Sequence, residues 1–260
     1  MRTHRNPILE KVRTDTRGAV MLYGPKGLFQ TEDALYLAKK VLSDEPEGHP
    51  DFINYVGITP GVEEVNAVSE KMNLLPARAD RYVVILDHLE KMSVAAQNKL
   101  LKVLEEGNAF FILIANGFVL DTIRSRVFTV SYRPYGTEEF SKITGMDEAA
   151  CYVYGGCPEG IEENELEPVF RQAGEALAKG DAKKLMEVLH LVKEKDPDSF
   201  YEKAKDYVPS LFAYFGHVLQ TSNFKNSCKA AEYAIACENR SYVAADFFRD
   251  VVSLLPERRK

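Results

Sequence analysis

Tyr82-Val83-Val84-Ile85-Leu86 is apolar without interruption. A strand with one wet face alternates apolar and polar side chains, so an unbroken run means that both faces are covered. That is the situation of a central strand in a parallel sheet flanked by helices. Further strand-like runs lie at Ala19–Tyr23, Phe52–Val56, Phe110–Ala115 and Phe128–Tyr132. Helical patterns fill the intervals. The first starts at Thr31, read as an N-cap followed by Glu32 and Asp33 where the helix dipole favours acids, and continues to about Leu42. The second spans about Val62–Leu74, with Val65, Val68, Met72 and Leu75 forming one stripe. The third opens at Ser93, buries Ala96, Leu100, Val103 and Leu104, and stops at Gly107. This alternation predicts an α/β domain over residues 1–135 built on a parallel five-stranded sheet.

With 260 residues the chain has room for two or three domains. After Arg133-Pro134 the pattern changes. Residues 136–163 read as short helices around Tyr154-Gly155-Gly156-Cys157-Pro158, too few for an independent core, and are assigned to a small helical lid. Residues 164–260 read as helices at about 166–178, 182–194, 198–205, 208–221, 226–238 and 241–255, broken by Gly180-Asp181, Pro197 and Pro209. The last carries Tyr242, Ala245, Phe248, Val252 and Leu255 on one side, so a C-terminal all-α bundle is expected.

The formal net charge is −6, with 15 basic and 15 acidic side chains in residues 164–260 against 18 and 24 in the remainder. Neither part is a basic nucleic-acid module, so contact with DNA is expected only inside a larger assembly. The polar start lacks an apolar signal core, and no window approaches the length of a membrane span. A cytoplasmic protein without membrane association is expected. Cys151, Cys157, Cys228 and Cys237 form no C-x-x-C pair and read as free thiols, and no metal site is expected. His190 and His217 lie in helical patterns and read as ordinary surface or core residues.

Between the first strand and first helix stands Gly24-Pro25-Lys26-Gly27-Leu28-Phe29-Gln30-Thr31. A phosphate-binding loop runs G-x-x-x-x-G-K-[ST]: the last glycine lets backbone N–H groups wrap the phosphates, and the lysine meets their charge. Gly24 and Thr31 fit that pattern, but Phe29 stands in place of the last glycine and Gln30 in place of the lysine, so Gly24, Gly27, Gln30 and Thr31 read as a degenerate loop. Lys26 is a weak substitute at the loop's shoulder. Asp87 directly follows the central strand, at the carboxyl end where open α/β sheets bind ligands, and is expected beside this loop. An aspartate there also serves as an N-cap or a loop hydrogen-bonder.

Five motifs follow in order: His49-Pro50-Asp51; Tyr82 to Asp87; Lys91-Met92-Ser93 leading into Ala96-Gln97-Asn98-Lys99-Leu100-Leu101-Lys102-Val103-Leu104-Glu105-Glu106; Phe110 to Ile114; and Thr122-Ile123-Arg124-Ser125-Arg126-Val127. In this order and spacing, His49–Arg133 resembles the bacterial clamp loaders, the gamma and delta-prime type subunits of DNA polymerase III in the AAA+ superfamily. The resemblance implies a P-loop α/β domain, a small helical lid and a helical collar through which five subunits form an open ring. Such loaders use ATP to open a sliding clamp and place it on primed DNA.

The resemblance also assigns roles. Asp87 matches the metal-holding aspartate, while His88 occupies the position of the acid that activates water. In the lid, Glu159-Gly160-Ile161 stands where active relatives carry an arginine. With the altered loop, these departures imply no ATP hydrolysis, no bound cofactor and a vestigial Asp87. Ser125-Arg126-Val127 corresponds to the family's Ser-Arg-Cys motif, whose arginine reaches a neighbouring subunit's ATP, with Arg124 as a second candidate. The plainer alternative has Arg126 pairing with an acid of its own domain. The implied function is a non-catalytic, delta-prime-type subunit whose partners are gamma- and delta-type subunits, with the sliding clamp a further candidate. The competing readings are an ATP-hydrolysing gamma-like motor and a diverged structural AAA+ paralogue.

Overall fold

The computed structural model describes residues 5–14, 18–159, 167–195, 208, 211–220, 222–238 and 247–255. They fall into two compact units, Met1–Arg133 and Pro134–Lys260.

The first unit contains β1 (Gly18–Tyr23), α1 (Gln30–Leu42), β2 (Phe52–Tyr55), α2 (Val62–Lys71), β3 (Tyr82–Leu86), α3 (Val94–Glu106), β4 (Ala109–Ala115), α4 (Asp121–Arg124) and β5 (Phe128–Ser131). All five strands are parallel, in the order β2-β3-β4-β1-β5. Every residue of β3 and β4 is buried, as their unbroken apolar runs require. Tyr82, Val84 and Leu86 join Phe111 and Leu113 in one core with Val65, Val68, Ala96 and Leu100 of α2 and α3. The alternate residues face the other way, where α1 packs on β3, β4 and β1. The chain therefore has the α/β core expected, with a parallel sheet covered on both sides.

Two helix boundaries differ from the periodicity reading. Thr31 is not an N-cap: α1 begins at Gln30, and the capping position is Phe29, which has left-handed backbone (φ 64°, ψ 28°) and makes no side-chain capping bond. The loop's last turn sets the helix start, leaving Thr31 within the first helical turn. Helix α2 ends at Lys71, followed by tight turns in which the Asn73 and Leu74 amides donate to Glu70 and Lys71. Leu75 is consequently 89% exposed and does not belong to the stripe formed by Val65, Val68 and Met72.

The second unit contains α5 (Thr137–Thr144), α6 (Glu148–Val153), α7 (Glu167–Ala178), α8 (Ala182–Lys195), α9 (211–219), α10 (Phe224–Glu238) and α11 (Phe247–Val252). Phe170, Leu177, Leu185, Phe212 and Phe215 form the centre of its core, joined by Val153 of α6. Tyr152 stacks on His217 with ring centroids 4.2 Å apart, so α6 is packed into the bundle. The helix expected at 198–205, the Gly160-Ile161 turn, Tyr242, Ala245 and the side chains of His190 and Phe248 lie outside the described residues.

Asp147 reinforces the α6–α7 packing. Its carboxylate caps α6 by accepting from the Ala150 amide and takes two guanidinium hydrogen bonds from Arg171, at 2.6 and 2.8 Å. The Arg171 bonds, followed by the opposing cost of burial and the help of the Ala150 amide, hold the Asp147 carboxyl at about 2 against an ordinary 3.8. A lowered folded-state value stabilises above the unfolded value and is lost as pH falls through the folded one. Asp147→Asn should therefore lower thermal stability at neutral pH and match the wild type near pH 2, the difference closing between about pH 4 and 2. Solvent exposure limits the neutral-pH difference to about 1 kcal/mol, readable as parallel melting curves of the full chain.

Candidate functional site

The loop, Asn116 and Asp87 lie at the carboxyl ends of β1, β4 and β3, so Asp87, expected beside the loop, is separated from it by the end of β4. Gly24 opens the loop after β1 with φ 158°, and a side-chain carbon added there would sit 2.5 Å from the Tyr132 carbonyl oxygen. Gly27 and Phe29 also have positive φ, at 89° and 64°. Phe29 thus keeps the backbone shape that favours glycine, at a strain cost of roughly 1–2 kcal/mol.

Gln30 is 3% exposed and turned back into the loop. Its Nε2 donates to the Pro25 carbonyl at 2.6 Å and the Gly24 carbonyl at 3.3 Å, while its Oε1 accepts from the Leu28 amide at 3.2 Å. A neutral amide therefore uses both donor and acceptor on the loop's own backbone. The Leu28 N–H, which an anion would need, is already engaged. Lys26 is exposed. The residues present do not fit a nucleotide's phosphates: they supply no buried cation, and the Gln30 side chain occupies the Leu28 amide and the Gly24 and Pro25 carbonyls.

Strand β4 lies between β3 and β1, so the residue next to the loop is Asn116, at the end of β4. Its Nδ2 donates to the Gly24 carbonyl at 2.9 Å, and its amide donates to Glu90 at 3.0 Å. Asp87 instead binds loop backbone: Oδ2 accepts from the Gly57 amide at 2.9 Å and Oδ1 from the His88 amide at 2.7 Å. His88 has left-handed backbone, and its Nδ1 lies 3.5 Å from Glu90 Oε1. Behind the loop, Tyr132 donates its hydroxyl to the fully buried Asp33 at 2.8 Å, tying the end of the sheet to α1. Asn116 was open to sequence reasoning by the same logic that selected Asp87, since each directly follows an unbroken apolar strand.

The two arginines of the Thr122–Val127 motif diverge. Arg124 places its guanidinium over the Tyr23 ring, 5.4 Å from the centroid. Arg126 donates Nε to Glu105 at 2.5 Å and Nη1 to the Thr122 carbonyl at 2.9 Å, with Ser125 Oγ 3.5 Å away. Ser125 also donates its hydroxyl to Thr122. In this isolated chain Arg126 therefore pairs with an acid of its own domain while its side chain remains 42% exposed.

Among the described residues, no group of three or more His, Cys, Asp or Glu side chains is arranged to hold a metal ion. Cys151, Cys157, Cys228 and Cys237 are free thiols. Burial, with smaller effects from Cys151 and Glu159, pushes Cys157 up to about 11. No described helix is long and apolar enough to cross a membrane.

Residues 47–135, about a third of the chain, match the family model described as DNA polymerase III, delta subunit. Among solved structures, a DNA polymerase III gamma subunit-related protein from Thermotoga maritima has a TM-score of 0.54 and 17% identity, covering 98% of each chain. A DNA replication initiation factor has a TM-score of 0.41 and 12% identity, covering 95% of this chain and 89% of that one. No curated protein matches the chain. The family segment contains the strand and helix motifs that build the sheet edge, and the Thermotoga structure has the same fold. Residues 47–135 are thus similar to a DNA polymerase III subunit family, and the likeness to the Thermotoga structure is one of fold.

Proposed function

We propose that this chain is a non-catalytic, delta-prime-type subunit of the DNA polymerase III clamp loader. It binds no ATP and donates Arg126 to the nucleotide of an adjacent subunit. The observation that carries the reading is Gln30, whose neutral side chain replaces the lysine of a working loop and satisfies the loop's own carbonyls and the Leu28 amide. Asp87 supports it, because both carboxylate oxygens hold loop amides and His88 follows in place of an acid. In the proposed assembly, residues 136–163 act as the lid and residues 164–260 as the collar, joining gamma- and delta-type subunits. The ring meets the sliding clamp and DNA as a whole, in the cytoplasm.

Binding of a fluorescent ATP analogue with magnesium to the full-length protein tests the nucleotide half of the proposal. No saturation is expected up to about 1 mM, a ligand free energy no stronger than about −4 kcal/mol. Micromolar affinity would overturn the non-catalytic assignment in favour of a gamma-like motor.

A further inference from the structure

Arg126 is fixed from two elements besides its own loop. Its Nε meets Glu105 in the last turn of α3 at 2.5 Å, and its Nη1 meets the Thr122 carbonyl in α4 at 2.9 Å. Two bonds to different nitrogens define the plane of a guanidinium, which a single contact cannot do. The third nitrogen, Nη2, has no partner among the described residues. Both side chains are substantially exposed, 42% for Arg126 and 52% for Glu105. An exposed pair of this kind contributes only about 0–1 kcal/mol to stability, so its main effect is on where the guanidinium sits.

We propose that Glu105 is the positioning residue for Arg126. Its carboxylate and the Thr122 carbonyl hold the guanidinium in one plane, leaving Nη2 to meet an anionic phosphate oxygen on an adjacent subunit. A long arginine without these contacts must lose its rotamer freedom at the moment of engagement, whereas one already held loses less. Glu105 touches neither nucleotide nor reacting atoms and acts only through Arg126. The inference rests on the reading of Arg126 as a donor in trans.

The test uses loaders assembled from this chain with gamma- and delta-type subunits, in which only the site beside this chain can hydrolyse ATP. Wild type is compared with Glu105→Ala, Glu105→Gln and Arg126→Ala. Glu105→Ala should lower kcat by about tenfold with little change in KM for ATP, as expected when a catalytic group is misplaced by a fraction of an ångström. Glu105→Gln retains an oxygen that accepts from Nε and should recover at least half of the wild-type rate. All variants should assemble and melt within about 2 °C of wild type, since an exposed pair is removed. Wild-type turnover in Glu105→Ala, with Arg126→Ala inactive, overturns the role of Glu105 and leaves the donor reading intact. Equal losses in the alanine and glutamine variants also overturn it, because charge and not placement would then be the cause. Wild-type turnover in Arg126→Ala overturns the donor reading itself.

Discussion

Arg126→Ala, assembled into a loader whose only hydrolytic site adjoins this chain, should reduce ATP turnover at that site by about 10³-fold or more. Charge accumulates on the transferred phosphoryl group as the bond to the leaving oxygen breaks, and a guanidinium presented from another subunit stabilises it without being consumed. Lysine is a poor replacement, because a point charge on a flexible stem does not reproduce the two fixed bonds to Glu105 and Thr122. Arg126→Lys should recover only a small part of the loss. Phosphate release from the purified complex measures the effect, and co-elution shows that assembly is unaffected. Hydrolysis at the wild-type rate in Arg126→Ala would remove the basis for a catalytic contribution in trans.

The second large effect concerns stability and falls on Asp51, a residue with no part in that chemistry. Asp51 is 1% exposed, and its two oxygens accept from three consecutive amides, those of Ala77, Arg78 and Ala79, at 2.6–2.7 Å. Burial on its own would raise the carboxyl's pKa, but the three amide bonds, with the charge of His49, outweigh it and lower the value. Asp51→Ala leaves three amides facing a space with no acceptor, and should destabilise the first unit by roughly 3–5 kcal/mol, about 10 °C in melting temperature. Asp51→Asn keeps one accepting oxygen and should lose about half as much. Because the folded value is lowered, the contribution is present above the ordinary carboxylate range and disappears as pH falls through the lowered value. Urea unfolding of both variants at neutral pH measures the difference, and a loss below about 1 kcal/mol for Asp51→Ala would show that the amides find other partners.

Much of this architecture was legible in the residues. The central strands β3 and β4 are uninterrupted apolar runs, and full burial on both faces leaves little else such runs can form. Ser93 and Gly107 marked the ends of α3 because capping is local chemistry. The errors arose where local pattern and tertiary setting disagree. Leu75 continues an apolar stripe by spacing, yet the helix ends before it and the side chain is exposed. Thr31 has the side chain of a cap, but the loop's left-handed Phe29 fixes the helix start one residue earlier. At the site, sequence revealed which charge was missing from the loop but not what replaced it. The bonds of Asn116 to Gly24 and of Tyr132 to Asp33 join residues 92 and 99 positions apart, and no spacing rule encodes them.

The inward-turned amide of Gln30 has a further consequence for timing. A loop that waits for phosphate is loose when empty and firm when filled, so its subunit changes state with each round of ATP. Here the stiffening group is covalently part of the chain, and under the proposed function the loop keeps the same internal bonds whatever the nucleotide supply. In the proposed ring such a subunit has no clock of its own. Its neighbours cycle, and it gives them a constant edge against which to do so.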